Sequence, residues 1–234
     1  MRGDVTRATV AMEEHHWWFV ARRRILARLL RALVPPGEAR LVLDVGCGGG
    51  ANTAALAEDY RCVGVDPSPR MIEAARRRHP DVEFIEGTVQ DAMAWLDGPG
   101  PEACLLADVL EHVEDDRGVL GEVLEACSPG GVCLITVPAN PGLWGPHDEA
   151  HGHRRRYDRP ALDRLLSGQP IERLLVSFFN VRLYPLVWAV RRVEALLDRA
   201  PGAGGSDLVM PPDPVNRALT RIFVGEAHVL LGAL

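Results

Sequence analysis

The sequence predicts an α/β fold: a parallel sheet with helices on both faces. Three observations predict it. Short, nearly all-apolar runs of strand length recur between Leu41 and Pro138, and each is followed by a segment of helical periodicity. These runs lack the alternation of a half-exposed strand, and strands of a parallel sheet covered on both sides read that way. A glycine-rich turn, Gly46–Gly50, joins the first strand to the first crossover helix. The whole is Rossmann-like.

The elements follow in order. Met12–Leu33 reads as a helix, because Ile25, Leu26, Leu29, Leu30 and Leu33 recur at helical spacing and Pro35-Pro36 ends it. "RLVLDVG" is the first strand and "ANTAALAED" the first crossover helix. "RCVGVD" is a strand, "PRMIEAARRRH" a helix stopped before Pro80, and "VEFIEG" a strand. "ACLLADVLEH" begins as a strand, "DDRGVLGEVLEAC" is a helix, and "GGVCLITVP" is the fifth strand. Beyond it the pattern breaks. Asn140–Tyr157 reads as irregular, then come a helix (Arg159–Leu166), a strand (Ile171–Phe178) and a helix (Val181–Arg199). Gly and Pro make Ala200–Asn216 a loop, and Arg217–Leu231 is helical. One domain spans residues 1–234: an N-terminal lid helix (10–34), a core (41–138), and an acceptor loop with C-terminal helical additions (139–234).

Composition narrows the function. A net charge of −6 disfavours a nucleic-acid partner, which calls for a basic surface. Every basic residue is arginine, which removes lysine chemistry. The five cysteines form no C-x-x-C pair and read as free thiols in a reducing compartment. Met1 precedes charged and polar residues, with no signal-peptide core, and no apolar run reaches the roughly 18 residues of a spanning helix. The expectation is a cytoplasmic protein.

The turn in "LDVGCGGGANT" fits G-x-G-x-x-G/A through Gly46, Gly48 and Ala51. Asp66 follows Gly46 by 20 residues, where an acid takes a ribose diol. This much suits a nicotinamide dinucleotide and S-adenosylmethionine about equally. Asp44 tilts the balance. A carboxylate at the strand tip repels a pyrophosphate but suits a ligand carrying a sulfonium and an ammonium group.

Four stretches, "LDVGCGGG", "VGVDPSPRMIEAAR", "ADVLEHVEDD" and "EVLEACSPGGVCLITVP", arrive in an order and spacing that resembles the class I S-adenosylmethionine-dependent methyltransferases. The resemblance implies that Asp44, Gly46, Cys47 and Gly48 surround the methionine end of the cofactor. It implies that Asp66 binds the ribose, with Pro67 and Ser68 beside the adenine, and that Asp108 lines the site rim. Where the family often has Gly-Asp-Ala, this chain has Gly87-Thr88-Val89. Thr88, Gln90 or Asp91 then takes the adenine contact, and Val89 offers its backbone N–H. Glu111 is a candidate acceptor contact or simply a cap for the following helix.

The segment Trp144–Tyr157 packs Trp144, His147, Asp148, His151, His153, Arg154, Arg155, Arg156 and Tyr157 together. Three readings stay open. It is an acceptor-binding loop with His147 or His153 as base, Asp148 beside it, and Trp144, Arg154 and Tyr157 on the substrate. It is a structural loop. Or it is a metal site, although "HDEAHGH" has no well-defined metal spacing, and no metal is expected. With "EHHWWFVARRR" (Glu14–Arg24) this loop resembles a bacterial subgroup with a WWF-x-x-RR helix and an HD…H-x-RRY loop. The subgroup implies a methyl transfer to O or N of a small molecule, of natural-product, sugar or lipid-linked type. Trp17, Trp18 and Phe19 span about 200° of helix and cannot share one pocket. Trp18 is assigned to the cofactor, His16 and Trp17 to the acceptor. The apolar run Leu174–Leu197 leaves room for weak membrane association. A seventh strand, frequent in the family, is not evident before "VLLGAL", and the sheet edge that results would suit a homodimer. A cofactor-binding protein that does not methylate, and a nicotinamide oxidoreductase, are the alternatives.

Overall fold

A computed structural model describes residues 9–96, 98–196 and 209–234. The chain divides into two compact units. A sheet unit comprises Leu30–Pro141 and Arg154–Ile171, and a helical unit comprises Met1–Leu29, Gly142–His153 and Glu172–Leu234.

The sheet unit holds five parallel strands: β1 (Gly37–Val45), β2 (Tyr60–Asp66), β3 (Glu83–Glu86), β4 (Ala103–Ala107) and β5 (Val132–Thr136). Their order is β3-β2-β1-β4-β5. Beside β1, Asp44 pairs with Gly64 of β2 and Leu105 of β4, so β1 is central. The order reverses between β1 and β4, and open α/β sheets bind ligands at the carboxyl ends beside such a switch. On one face Leu43, Val63, Val65, Leu106, Leu120 and Val123 form a closed apolar core. On the other, Cys47, Ile72, Ala75 and Phe84 pack together. Full burial of each large apolar side chain contributes roughly 1.5–3 kcal/mol.

The crossover helices start where local chemistry lets them. α2 (Ala51–Leu56) follows Gly50, whose φ of 82° is left-handed and whose missing Cβ would stand 2.6 Å from Phe84. α3 (Pro69–Arg78) opens on a proline, which needs no N–H partner in the first turn. α4 (Val89–Trp95) starts with a Thr88/Asp91 capping box. α5 (Asp116–Ala126) is capped by Asp115, and α7 (Arg159–Leu166) by Asp158, each accepting a backbone N–H.

In the helical unit lie the start of α1 (Trp17–Leu33), α6 (Pro146–His151), α8 (Tyr184–Leu196), α9 (Asp213–Val224) and α10 (Ala227–Leu231). The expected helix from Met12 breaks: residues 13–16 are turn and bend, and α1 begins at Trp17. The Trp17 N–H donates to the Asn216 side chain at 2.8 Å, and the Asn216 amide donates to the His15 carbonyl at 2.7 Å. A residue from 199 positions away thus caps the helix.

Three further expectations change. Ile171–Phe178 forms no strand, and Leu174 and Phe178 are exposed. An apolar run becomes a strand only with a neighbour to complete its hydrogen bonds. The C-terminal helix is two helices, broken at Gly225-Glu226. There the buried Glu226 carboxylate accepts the N–H groups of Val181 and Arg182 at 3.1 and 2.7 Å. The irregular segment contains a turn of 3-10 helix (Pro141–Leu143) and the six-residue α6. Of the loop expected over 200–216, residues 200–208 lie outside the described residues, as does Arg199 at the end of the expected helix. No described helix is long and apolar enough to cross a membrane.

Candidate active site

The carboxyl ends of β1 and β2 bring the first group together. The apolar part of β1 ends on Asp44-Val45, and Asp44 is only 1% exposed. Thr53, on the buried face of α2, donates its hydroxyl to Asp44 Oδ2 at 2.6 Å. Gly46 and Cys47 both donate N–H to the Val65 carbonyl, which folds the turn back over β2. Gly46 has φ 67°, and a Cβ there would stand 2.7 Å from Val109. Only glycine fits.

Asp66 is held by two main-chain donors, Gly48 N–H at 3.1 Å on Oδ2 and Ser68 N–H at 2.8 Å on Oδ1. Burial pushes its carboxyl up from the ordinary value, and these two N–H groups offset part of the rise. A carboxylate has about four lone-pair sites, so two bonds leave capacity for a diol. Pro67 directly follows it, ahead of the Ser68 cap of α3.

Asp108 closes β4 in a left-handed conformation, φ 61°. Its N–H donates to the Thr136 carbonyl, and the Thr136 hydroxyl donates to its Oδ1 at 2.8 Å. A non-glycine residue held there is uncommon and marks functional strand ends. Leu110 and Glu111 are fully buried behind it. The Thr88 hydroxyl and N–H both donate to Asp91 Oδ2, at 2.8 and 2.7 Å, to cap α4. Those bonds hold the Asp91 carboxyl below its ordinary value. The Val89 side chain is in the core, so what Val89 offers a ligand is main chain.

The histidine-rich loop leaves the sheet unit after Pro141 and re-enters at Arg154. A bridge between Ala139 and Tyr157 closes its base, with Tyr157 N–H on the Pro138 carbonyl at 2.8 Å. Within the helical unit Asp148 is fully buried. Its Oδ2 accepts the Gly145 N–H at 2.9 Å, and its Oδ1 lies 2.8 Å from His153 Nδ1. The His147 and His151 rings stack with centroids 4.2 Å apart, and His153 stands 6.0 Å from each. Trp144 is exposed. The structure thus brings the three candidate catalytic residues, His147, Asp148 and His153, into one cluster.

The arginines and Tyr157 do something else. Arg154 donates its backbone N–H to the Glu111 carbonyl at 2.7 Å and its Nε to the His112 carbonyl at 3.2 Å. Arg155 donates to the carbonyls of Val113 and Glu114 and pairs with Asp116 at 2.8 Å. Arg156 donates to the Ala139 carbonyl. Tyr157 is buried, and its hydroxyl donates to Asp116 Oδ2 at 2.7 Å. Burial and the Asp116 carboxylate push its phenol up, away from any role as a base. In the structure Arg154 and Tyr157 staple the loop base.

The N-terminal aromatics pack inside the helical unit. Trp18 stacks on Phe223 (5.2 Å) and Phe179 (6.0 Å), and Trp17 meets Phe223 edge-on at 6.2 Å. His16 is buried beside Trp17 and Phe19, and burial lowers its pKa. Sequence reasoning missed Thr53, Thr136 and Asn216. Thr53 carried a signal, a threonine on the apolar face of "ANTAAL"; Asn216 carried none, because its partner is remote.

Residues 43–135 match a family model described as a methyltransferase domain. The chain is 33% identical over 163 residues to a trans-aconitate 2-methyltransferase of Azoarcus sp., covering 68% of this chain and 61% of that protein. A second protein of that name, from Methylobacterium radiotolerans, is 36% identical over 122 residues, covering 51% of this chain and 45% of it. The chain therefore spans less than two thirds of either relative's length. Among solved structures, the YcgJ protein of Bacillus subtilis shares the fold at a TM-score of 0.53 and 19% identity, over 76% of this chain and 84% of that one. The cofactor of such a domain is S-adenosylmethionine.

Proposed function

We propose that this chain, whose residues 43–135 match a methyltransferase-domain model, is an S-adenosylmethionine-dependent methyltransferase acting at O or N of a small molecule. One observation carries the reading: two carboxylates, Asp44 and Asp66, at the carboxyl ends of adjacent strands around the Gly46–Gly50 turn. Buried Asp44 suits the cationic methionine end and repels a pyrophosphate, which speaks against a nicotinamide dinucleotide. Asp66 suits the ribose diol. Gly46, Cys47 and Gly48 supply the close backbone approach between them, and Asp108 lines the rim.

When bound, the cofactor supplies an already activated methyl group. The protein then has to align the acceptor and exclude water, and positioning contributes up to about 7–11 kcal/mol. The relatives' name supports a small-molecule acceptor. Net charge of −6 supports no nucleic-acid partner. The test is calorimetry with S-adenosylmethionine and S-adenosylhomocysteine. Binding of both supports the proposal. Protection from thermal unfolding by NAD alone would favour the oxidoreductase, and tight cofactor binding with no acceptor methylated would favour a non-methylating subunit.

A further inference from the structure

We infer that Cys127 and Cys104 form a peroxide-sensitive dithiol, in which hydrogen peroxide oxidises Cys127 and Cys104 captures it as a reversible disulfide. Both residues belong to the sheet unit. They stand at the amino-terminal ends of its strands, away from the carboxyl edge that carries Asp44 and Asp66, so the modification is independent of the methyltransferase reading.

Three observations support it. First, the thiols meet. The chain leaves β4, runs back along α5 and returns to the edge where β4 starts, and there Cys127 follows the helix. Cys104 is the second residue of β4 and is 1% exposed. The Cys127 thiol donates to the Pro101 carbonyl at 3.4 Å, three residues before Cys104, and its sulfur shares a hydrogen bond with the Cys104 thiol. Cys133 is the partner of Cys104 across β4 and β5. All three sulfur side chains pack in one apolar core.

Second, Cys127 is within reach of a small oxidant. It is half-buried, whereas Cys104 is closed off. A cavity of about 260 Å³ opens beside it, with Arg40, Glu102, Ser128, Gly130, Gly131 and Val132 in its wall. A water needs only about 10–15 Å³ of such space, and hydrogen peroxide is little larger. A Cβ on Gly131 would stand 2.6 Å from Cys127 Sγ, so at Gly131 no side chain covers the thiol.

Third, the sulfurs differ in reactivity. The Cys104 thiol and the Ser128 N–H favour the Cys127 thiolate and lower its pKa, against the effect of burial. The same hydrogen bond, with burial, pushes Cys104 up. Burial pushes Cys133 up to about 12. The thiolate is the nucleophile, so Cys127 attacks first and Cys104 remains a thiol to resolve it. A disulfide brings the sulfurs to about 2.04 Å. Cys127 lies outside the helix on extended backbone, leading into the Gly130-Gly131 turn, so it is the loop that moves.

The step balances. The Cys127 thiolate attacks one peroxide oxygen, the O–O bond breaks, and hydroxide leaves and is protonated to water. The Cys127 sulfenic acid is then attacked by the Cys104 sulfur. Its S–O bond breaks, the oxygen leaves as a second water with the Cys104 proton, and the S–S bond forms. Two electrons pass from the two thiols to the peroxide, and a dithiol reductant returns them.

The test uses the full chain. Reduced protein is titrated with hydrogen peroxide, remaining thiols are alkylated in denaturant, and the tryptic peptides are weighed. With arginine the only basic cleavage residue, trypsin leaves Cys104 in His79–Arg117, and Cys127 with Cys133 in Gly118–Arg154. The two peptides should appear joined, two hydrogens lighter than their sum, and dithiothreitol should separate them. Cys127→Ala should lower the joined yield at least about tenfold, and Cys133→Ala should leave it within about twofold. Cys104→Ala should leave Cys127 as a sulfenic acid that dimedone traps. Peptides that stay separate, a disulfide closed within Gly118–Arg154, or a joined mass that survives Cys127→Ala overturns the inference. If Cys104→Ala does not fold, the unaltered chain and the Cys127 and Cys133 variants decide it.

Discussion

The Thr53 hydroxyl and the Asp44 carboxylate lie 2.6 Å apart, and both residues are buried. The bond fixes a charge where little water reaches it. Thr53→Val keeps the shape and removes the donor. It should lower stability by about 1–3 kcal/mol, the usual cost of taking a bond from a buried polar group. Thr53→Ser should recover most of it. Urea unfolding of the three proteins measures this.

Asp66 gives a second expectation, in affinity. Asp66→Asn should weaken S-adenosylhomocysteine binding about 10- to 100-fold, the loss of one or two charge-assisted bonds, as read by calorimetry.

The same residue predicts a pH effect. Burial raises the Asp66 carboxyl above its unfolded value of 3.8. The native state then binds the proton more tightly than the unfolded chain. Its contribution to stability falls as pH rises from about 4 through the raised value. Unfolding midpoints of Asp66→Asn should lack that component.

His16 has the opposite sign. Burial lowers it below 6.5, so the unfolded chain binds the proton more tightly. Its contribution is complete above 6.5 and is lost as pH falls towards the lowered value. His16→Gln should flatten the acid side of the stability profile measured by thermal unfolding.

Tyr157→Phe removes the bond to Asp116 and should cost about 0.5–1.5 kcal/mol while leaving methylation rates within twofold. A large fall in rate with stability intact would return Tyr157 to the acceptor site.

Much of this was legible in the sequence. The apolar runs and the Gly46–Gly50 turn predict the five parallel strands, and the position of Asp66 at the end of the second, because those patterns arise from local backbone and burial rules. The clustering of His147, Asp148 and His153 follows from their nearness in the chain. Other roles depended on partners far away in sequence. Trp18 stacks on Phe179 and Phe223, remote in sequence. Arg154 and Tyr157 bind Glu111, His112 and Asp116, partners more than 40 positions away. Ile171–Phe178 looked like a strand and found no ladder.

The sequence by itself determined where the sheet runs and which carboxylates stand at its carboxyl edge, since strand period and turn chemistry are properties of short segments. Only the tertiary structure decided which polar side chains of the loop segment bind main-chain carbonyls and Asp116. A side chain's role depends on the donor or acceptor that folding brings within about 3 Å of it, and that partner is not written beside it in the chain.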